Sequence, residues 1–163
     1  MWWTEGGVRY IDQGVLPARF ETGLARDVEE VARAIETMAV RGAPLIGVFA
    51  AYGLALAAKG REDHGATHGR LSRTRPTAIN LRRGLDAVRA AAPDPERMLA
   101  AARAFDEAEV AAAAAIGIHG MTLLGRGARI LTHCNAGWLA VQDWGTALAP
   151  VYRAARAGLF PFV

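Results

Sequence analysis

The sequence predicts a mixed α+β / α/β chain: a small antiparallel sheet with a helical domain, then the opening βα unit of an α/β domain. Three observations carry this. Short apolar pieces separated by Gly6-Gly7 and Gly14 read as strands near the start. Apolar residues at helical spacing fill most of residues 28–124. At Arg126-Gly127 the character changes, and Ala128–His133 is a short β-type run that ends in a polar, Gly-containing turn. These place domain 1 at residues 1–125 and a second domain at 126–163.

Taken in order, Trp2-Trp3 and Val8-Arg9-Tyr10-Ile11 are the first two strands, with the tryptophans serving packing rather than base stacking. Asp27-Val28-Glu29-Glu30 supplies an N-cap acceptor with Glu three residues on. Val28, Val31, Ala32, Ile35, Met38 and Ala39 then mark one face of a helix ending near Val40. Pro44, in Arg41-Gly42-Ala43-Pro44, suits the first turn of a second helix, expected to reach Ala58 and, being apolar nearly all round, to be fully buried. Lys59–Arg73 reads as a polar connector. Arg75-Pro76-Thr77 repeats the device of an arginine before a helix-opening proline, with Leu81, Leu85 and Val88 as the inner face. Asp94 caps a long alanine-rich helix that starts at Pro95 and runs to His119 or Leu124, its end weakened by Gly117 and Gly120. Thr146–Ala157 reads as a further helix disturbed by Pro150, and Gly158–Val163 as the start of another strand.

Composition narrows the function classes. One cysteine excludes an internal disulfide framework and fits a reducing, cytoplasmic setting. Leu45–Ala58, at about 14 residues, is short of the roughly 20 needed to cross a bilayer, so no membrane role is expected. The net charge is +3, but 18 of the 19 basic residues are arginines scattered along the chain, without the clustered, aromatic-interleaved stripe of a nucleic-acid surface. No nucleic-acid partner is expected, and a small anionic substrate accounts for one or two arginines equally well.

Helix N-termini carry unpaired N–H groups and partial positive charge, so Arg41-Gly42-Ala43-Pro44 suits a phosphate, with a guanidinium beside close-approaching backbone. The same tetrapeptide also fits a tight turn with a solvated arginine, and Arg75-Pro76-Thr77 carries the same two readings. Cys134, in Thr132-His133-Cys134-Asn135, follows the β-type run, where open α/β sheets place their chemistry. It reads as a nucleophile, an acid–base group or a buried thiol. His133 alternates to the other side of a strand, which weakens a thiolate–imidazole hydrolase. His64 and His68 have ligand spacing, but Gly65 and Gly69 argue against a helix there, and no metal site is expected.

Four segments in order then resemble the methylthioribose-1-phosphate isomerases. They are Met38–Gly47 with Ala50-Ala51-Tyr52-Gly53; Arg75-Pro76-Thr77-Ala78-Ile79-Asn80-Leu81; Ile116-Gly117 with His119-Gly120; and Leu131–Asn135 with Gly145-Thr146-Ala147-Leu148. Ala136 stands where many members have threonine. The same fold is shared with the regulatory subunits of the eukaryotic initiation-factor guanine-nucleotide exchange factor, the non-catalytic alternative. The resemblance implies that residues 126–163 open an incomplete Rossmann-like domain. It also implies conversion of S-methyl-5-thio-α-D-ribose 1-phosphate to the ribulose 1-phosphate in methionine salvage. A related pentose 1-phosphate, such as that of 5-deoxyribose, is the other substrate reading. By the same resemblance Arg41, Gly42 and Ala43 contact substrate, Arg75 is a second anion contact, and Cys134 is catalytic beside an aspartate. No cofactor is implied, and a homodimer is implied at full length. The family's aspartate, and the Asn-Lys pair after it, lie in later segments, and Asp143 is not their substitute. The chain is therefore expected to be a fragment, with Phe160–Val163 departing from the family pattern and residues 126–163 poorly ordered or exposing apolar surface.

Overall fold

A computed structural model describes all residues, Met1–Val163. The elements are β1 (Trp2–Thr4), β2 (Gly7–Ile11), β3 (Thr22–Ala25), α1 (Val28–Glu36), α2 (Ala43–Lys59), α3 (His64–Ser72), α4 (Ile79–Arg89), α5 (Pro95–Met121), a short 3-10 turn (Trp138–Ala140) and α6 (Ala149–Arg156). They fall into two compact units, Met1–Asp106 and Glu107–Val163. This division by proximity lies inside α5, ahead of residue 125, where the sequence leads one to expect a boundary.

In the first unit the sheet is antiparallel in the order β1-β2-β3, with Trp3 opposite Val8 and Tyr10 opposite Gly23. β3 has no counterpart in the sequence reading, because Thr22-Gly23-Leu24-Ala25 offers one large apolar side chain. Its glycine is required by packing: a Cβ there would lie 2.3 Å from Cζ of Tyr10. α1 begins as its sequence predicts, since Asp27 Oδ1 accepts the Glu30 N–H at 2.8 Å and Glu30 reaches back to the Arg26 N–H at 2.7 Å. It ends at Glu36 rather than near Val40, where Met38 takes a φ of 60° and turns the chain.

α2 is the axis of this unit. Every residue from Leu45 to Ala58 is buried, as an all-round apolar helix must be. α1, α3, α4 and β2 surround it. Phe49 and Leu54 are fully buried, each contributing about 1.5–3 kcal/mol by leaving water. Met98 and Ala102 on the first part of α5 complete this core.

The structure departs from the sequence reading at α3 and at Pro76. The stretch expected as a polar connector contains α3, because Asp63 Oδ1 caps Ala66 N–H at 2.6 Å and Thr67 and Leu71 give the helix a buried face that offsets Gly65 and Gly69. Pro76 does not open α4, which starts three residues later at Ile79. The Ala78 N–H donates to the Arg75 carbonyl at 2.9 Å, so Pro76 sits at the second position of a turn, where its fixed φ is also suited.

In the second unit, the later part of α5 packs on α6. A Cβ on Gly120 would lie 2.4 Å from Cγ of Pro150, and one on Gly117 would lie 2.8 Å from Nε of Arg153. The glycines that weaken the helix by propensity are thus its contact face. Pro150 lies in the first turn of α6, where it is tolerated, so the expected disturbance is absent and the helix starts at Ala149. Ala128–His133 does not form a strand. Arg129 makes one parallel bridge to Phe162, with Ile130 N–H to Phe162 O and Phe162 N–H to Ala128 O both at 2.8 Å. Pairing goes no further along the run, and Leu131 beside it is 99% exposed. No helix is long and apolar enough to cross a membrane.

Candidate functional site

The turn from α1 into α2 is built by its backbone. Val40 is fully buried, and its N–H donates to Ala34 O at 2.9 Å. Gly42 then adopts φ 116° and ψ 129°, a region closed to side-chain-bearing L residues. Ile46 N–H donates to Gly42 O at 2.9 Å and starts the helix. The N–H groups of Ala43 and Leu45 belong to the first turn, where a helix has no acceptor of its own, and Pro44 has none to leave unpaired. Arg41 is exposed at the mouth of this turn. A 17-residue helix thus has its positive end at this turn, two residues after an exposed arginine.

Arg75 is exposed in the turn between α3 and α4. Thr74, buried, anchors that turn through Oγ1 to Leu71 O at 2.6 Å. The first turns of α2 and α4 meet: a Cβ on Gly47 would lie 2.5 Å from the carbonyl oxygen of Asn80. One turn along α4, a Cβ on Gly84 would lie 2.3 Å from the Gly47 oxygen. The Arg41 and Arg75 loops therefore lead into two helices locked together at their starts. The signal for this in the sequence is the pair of helix-interior glycines, which cost helix stability and so need a packing reason. Gln13, buried and hydrogen-bonded to Arg41 O, has no counterpart in the sequence reading, since a lone glutamine in a turn carries no signal.

Cys134 belongs to the second unit. It is exposed, in a bend and not at a strand end, with φ 69°. A non-glycine residue there stores about 1–3 kcal/mol of strain, of the kind that gathers at working positions. The bend is tied down from one carbonyl: Ala136 O accepts from Thr146 N–H at 2.9 Å and Leu148 N–H at 3.3 Å. Asp143 Oδ1 accepts the neighbouring Trp144 N–H at 2.8 Å.

Other polar clusters have local partners. His68, four residues from His64 on α3, contacts Asp86 at 3.2 Å and Ser72 at 3.4 Å. No group of three or more His, Cys, Asp or Glu side chains is gathered as a metal site. A cavity of about 400 Å³ lies between α1 and α3, lined by Asp27, Glu29, Glu62, Thr67 and Arg70, and none of the candidate residues borders it.

The chain belongs to the Initiation factor 2 subunit family, whose pattern matches residues 39–159. Within it, the chain is 48% identical to the methylthioribose-1-phosphate isomerase of Methylocella silvestris, over 98% of this chain and 49% of that protein. It is 51% identical to the enzyme of the same name from Methylorubrum populi, over 93% of this chain and 46% of that one. Among solved structures, 5-methylthioribose 1-phosphate isomerase from Pyrococcus horikoshii superposes with a TM-score of 0.87 at 32% identity, over 96% of this chain and 49% of that one. Translation initiation factor eIF-2B subunit delta from A. fulgidus superposes with a TM-score of 0.78 at 39% identity, over 98% and 52%. The chain spans about half the length of the relatives it matches.

Proposed function

We propose that the chain carries the phosphate-gripping part and the thiol of an aldose–ketose isomerase acting on S-methyl-5-thio-α-D-ribose 1-phosphate. The observation that carries this reading is the Arg41-Gly42-Ala43 turn at the start of α2, beside the Arg75 loop, in a chain about half identical to proteins named for that reaction. Arg41 and the first-turn amides would hold the 1-phosphate, and Arg75 would add a second positive contact.

The phosphate on C1 locks the sugar as a furanose, so the C1–O4 bond must break with a proton delivered to O4. The C2 hydroxyl loses a proton and the C2 hydrogen moves to C1, which leaves a ketone at C2 and the phosphate in place. The proton exchange is assigned to Cys134, whose thiol is exposed and sits in a strained bend. An aspartate partner belongs to family segments outside these residues. Domain 126–163 is read as the opening unit of the Rossmann-like part, and the full-length protein as a homodimer in the cytoplasm. No cofactor enters this scheme.

Incubation with S-methyl-5-thioribose 1-phosphate, read by ¹³C NMR for a C2 ketone, tests the reading; it requires at least that substrate binds and that Arg41→Ala removes binding. A second reading, a non-catalytic regulatory or assembly module, draws on the superposition with the initiation-factor subunit at a TM-score of 0.78; binding without turnover fits both readings, and turnover excludes the second. A chain blind to the sugar phosphate sinks the first.

A further inference from the structure

Gln13 is 97% buried, yet it lies in a turn between strands, where a polar side chain is expected outside. The turn is fixed locally by Asp12, whose N–H donates to Glu21 O at 3.0 Å and whose Oδ1 accepts the Gly14 N–H at 2.8 Å. From that base Gln13 reaches 28 residues along the chain. Its backbone N–H donates to Ala39 O at 2.8 Å, and its Nε2 donates to Arg41 O at 3.1 Å. The two bonds bracket the buried Val40, so the peptide entering Gly42 is held from the Gln13 side.

The chemical consequence follows from peptide geometry. In a trans peptide the C=O and the next N–H point opposite ways. With the Arg41 carbonyl turned toward Gln13, the Gly42 N–H points away from it. Glycine tolerates either peptide orientation, so residues 41 and 42 alone do not choose between them. A flipped peptide would aim a carbonyl oxygen, and not an N–H, at an anion on the α2 side.

We infer that Gln13 is a positioning residue for phosphate: by donating to the Arg41 carbonyl it presents the Gly42 N–H, with the Arg41 side chain, to the 1-phosphate of the substrate. This deepens the function proposed above and rests on it. The test is titration of the ¹⁵N-labelled 163-residue chain with ribose 1-phosphate, for wild type, Gln13→Met and Arg41→Ala. Methionine keeps the length and bulk of glutamine, lacks the donor, and leaves the backbone bond to Ala39. The expected result is a Gly42 amide resonance that moves on binding in wild type and an affinity about tenfold weaker in Gln13→Met, titrated at a temperature where its amide spectrum shows it folded. Equal affinity in Gln13→Met and wild type, with binding lost in Arg41→Ala, overturns the inference and leaves the phosphate reading intact. A wild-type Gly42 amide that ignores bound ligand overturns it as well, without any need for the Gln13 variant to fold. Absence of wild-type binding, or full binding by Arg41→Ala, removes the phosphate reading and this inference with it.

Discussion

Gly47 of α2 and Asn80 of α4 are packed backbone to backbone, with 2.5 Å between the Asn80 oxygen and the place a Cβ on Gly47 would occupy. Real Cβ atoms do not approach a carbonyl oxygen so closely, and both partners are main chain, so neither can rotate aside. Gly47→Ala is expected to destabilise the chain by about 1–3 kcal/mol, the usual cost of overpacking. It also pushes apart the helix starts that carry the Arg41 and Arg75 loops. Urea unfolding gives the first effect and ribose 1-phosphate affinity the second. An alanine variant of wild-type stability contradicts this packing.

Gly42 makes a different demand. Its φ of 116° lies where a Cβ is strained whatever the surrounding space. Gly42→Ala is expected to cost about 1–3 kcal/mol, or to escape that cost by refolding the turn and losing the proposed anion site. Thermal unfolding together with phosphate binding separates the two outcomes. Retention of both stability and binding counts against the turn as the site.

Acid should loosen the α1–α3 junction first. Arg70 spans Glu29, at 2.8 and 2.9 Å, and Glu36, at 2.7 Å. Hydrogen bonding to Arg70 is the chief reason both carboxyls ionise below their ordinary value of 4.5. Folded carboxyls that hold protons less tightly than unfolded ones contribute stability above the unfolded value and lose it as pH falls through the folded one. The thermal midpoint should therefore drop as pH falls below about 4.5. In Arg70→Met that part of the drop should shrink. The pair is largely solvent-exposed, so the difference at neutral pH should be small. Parallel pH profiles for the two proteins rule out the linkage.

Much of the first unit is legible in the amino-acid sequence alone. α2 announces itself by unbroken apolarity between a proline start and Lys59, and α1 by its cap. α3 is hidden because glycine and histidine propensities outvote a cap and two buried residues in a short window. Arg75-Pro76 looks like Arg41-Gly42-Ala43-Pro44, but only the latter leads directly into a helix; a proline fixes φ in a turn as well as in a first helical turn. At the candidate site, the arginines and glycine are legible as residue types. Their joint placement depends on Gly47 against Asn80 and on Gln13 against Arg41 O, pairings between distant parts of the chain that no local pattern encodes.

Cys134 should separate stability from reactivity. Its side chain is exposed, so Cys134→Ala should alter stability by no more than about 0.5 kcal/mol. The φ of 69° remains strained in that variant, whereas glycine adopts it freely, so Cys134→Gly should be at least as stable as Cys134→Ala. A disulfide-exchange reagent should label the thiol fully without denaturant, and neither variant should label. A glycine variant clearly less stable than the alanine one contradicts the strained bend.

The apolar surface of the second unit sets the last expectation. Leu131 is 99% exposed, Phe160 69%, Phe162 67% and Val163 54%, all near the bridge from Arg129 to Phe162. Arg126 lies 5.3 Å from the Phe160 ring centre and Arg129 5.7 Å from that of Phe162, which shields one face of each ring and leaves Leu131 uncovered. Large exposed apolar side chains attract other apolar surface. The isolated chain should bind an apolar fluorescent dye such as ANS, and its sedimentation coefficient should rise with concentration. Leu131→Glu with Phe162→Glu should reduce both signals without lowering the stability of the first unit, whose core contains neither residue. A chain that sediments as a monomer at high concentration and leaves the dye dark requires that this surface be covered in solution, by a rearrangement of residues 126–163 that hydrogen exchange would then show as strong protection along the run.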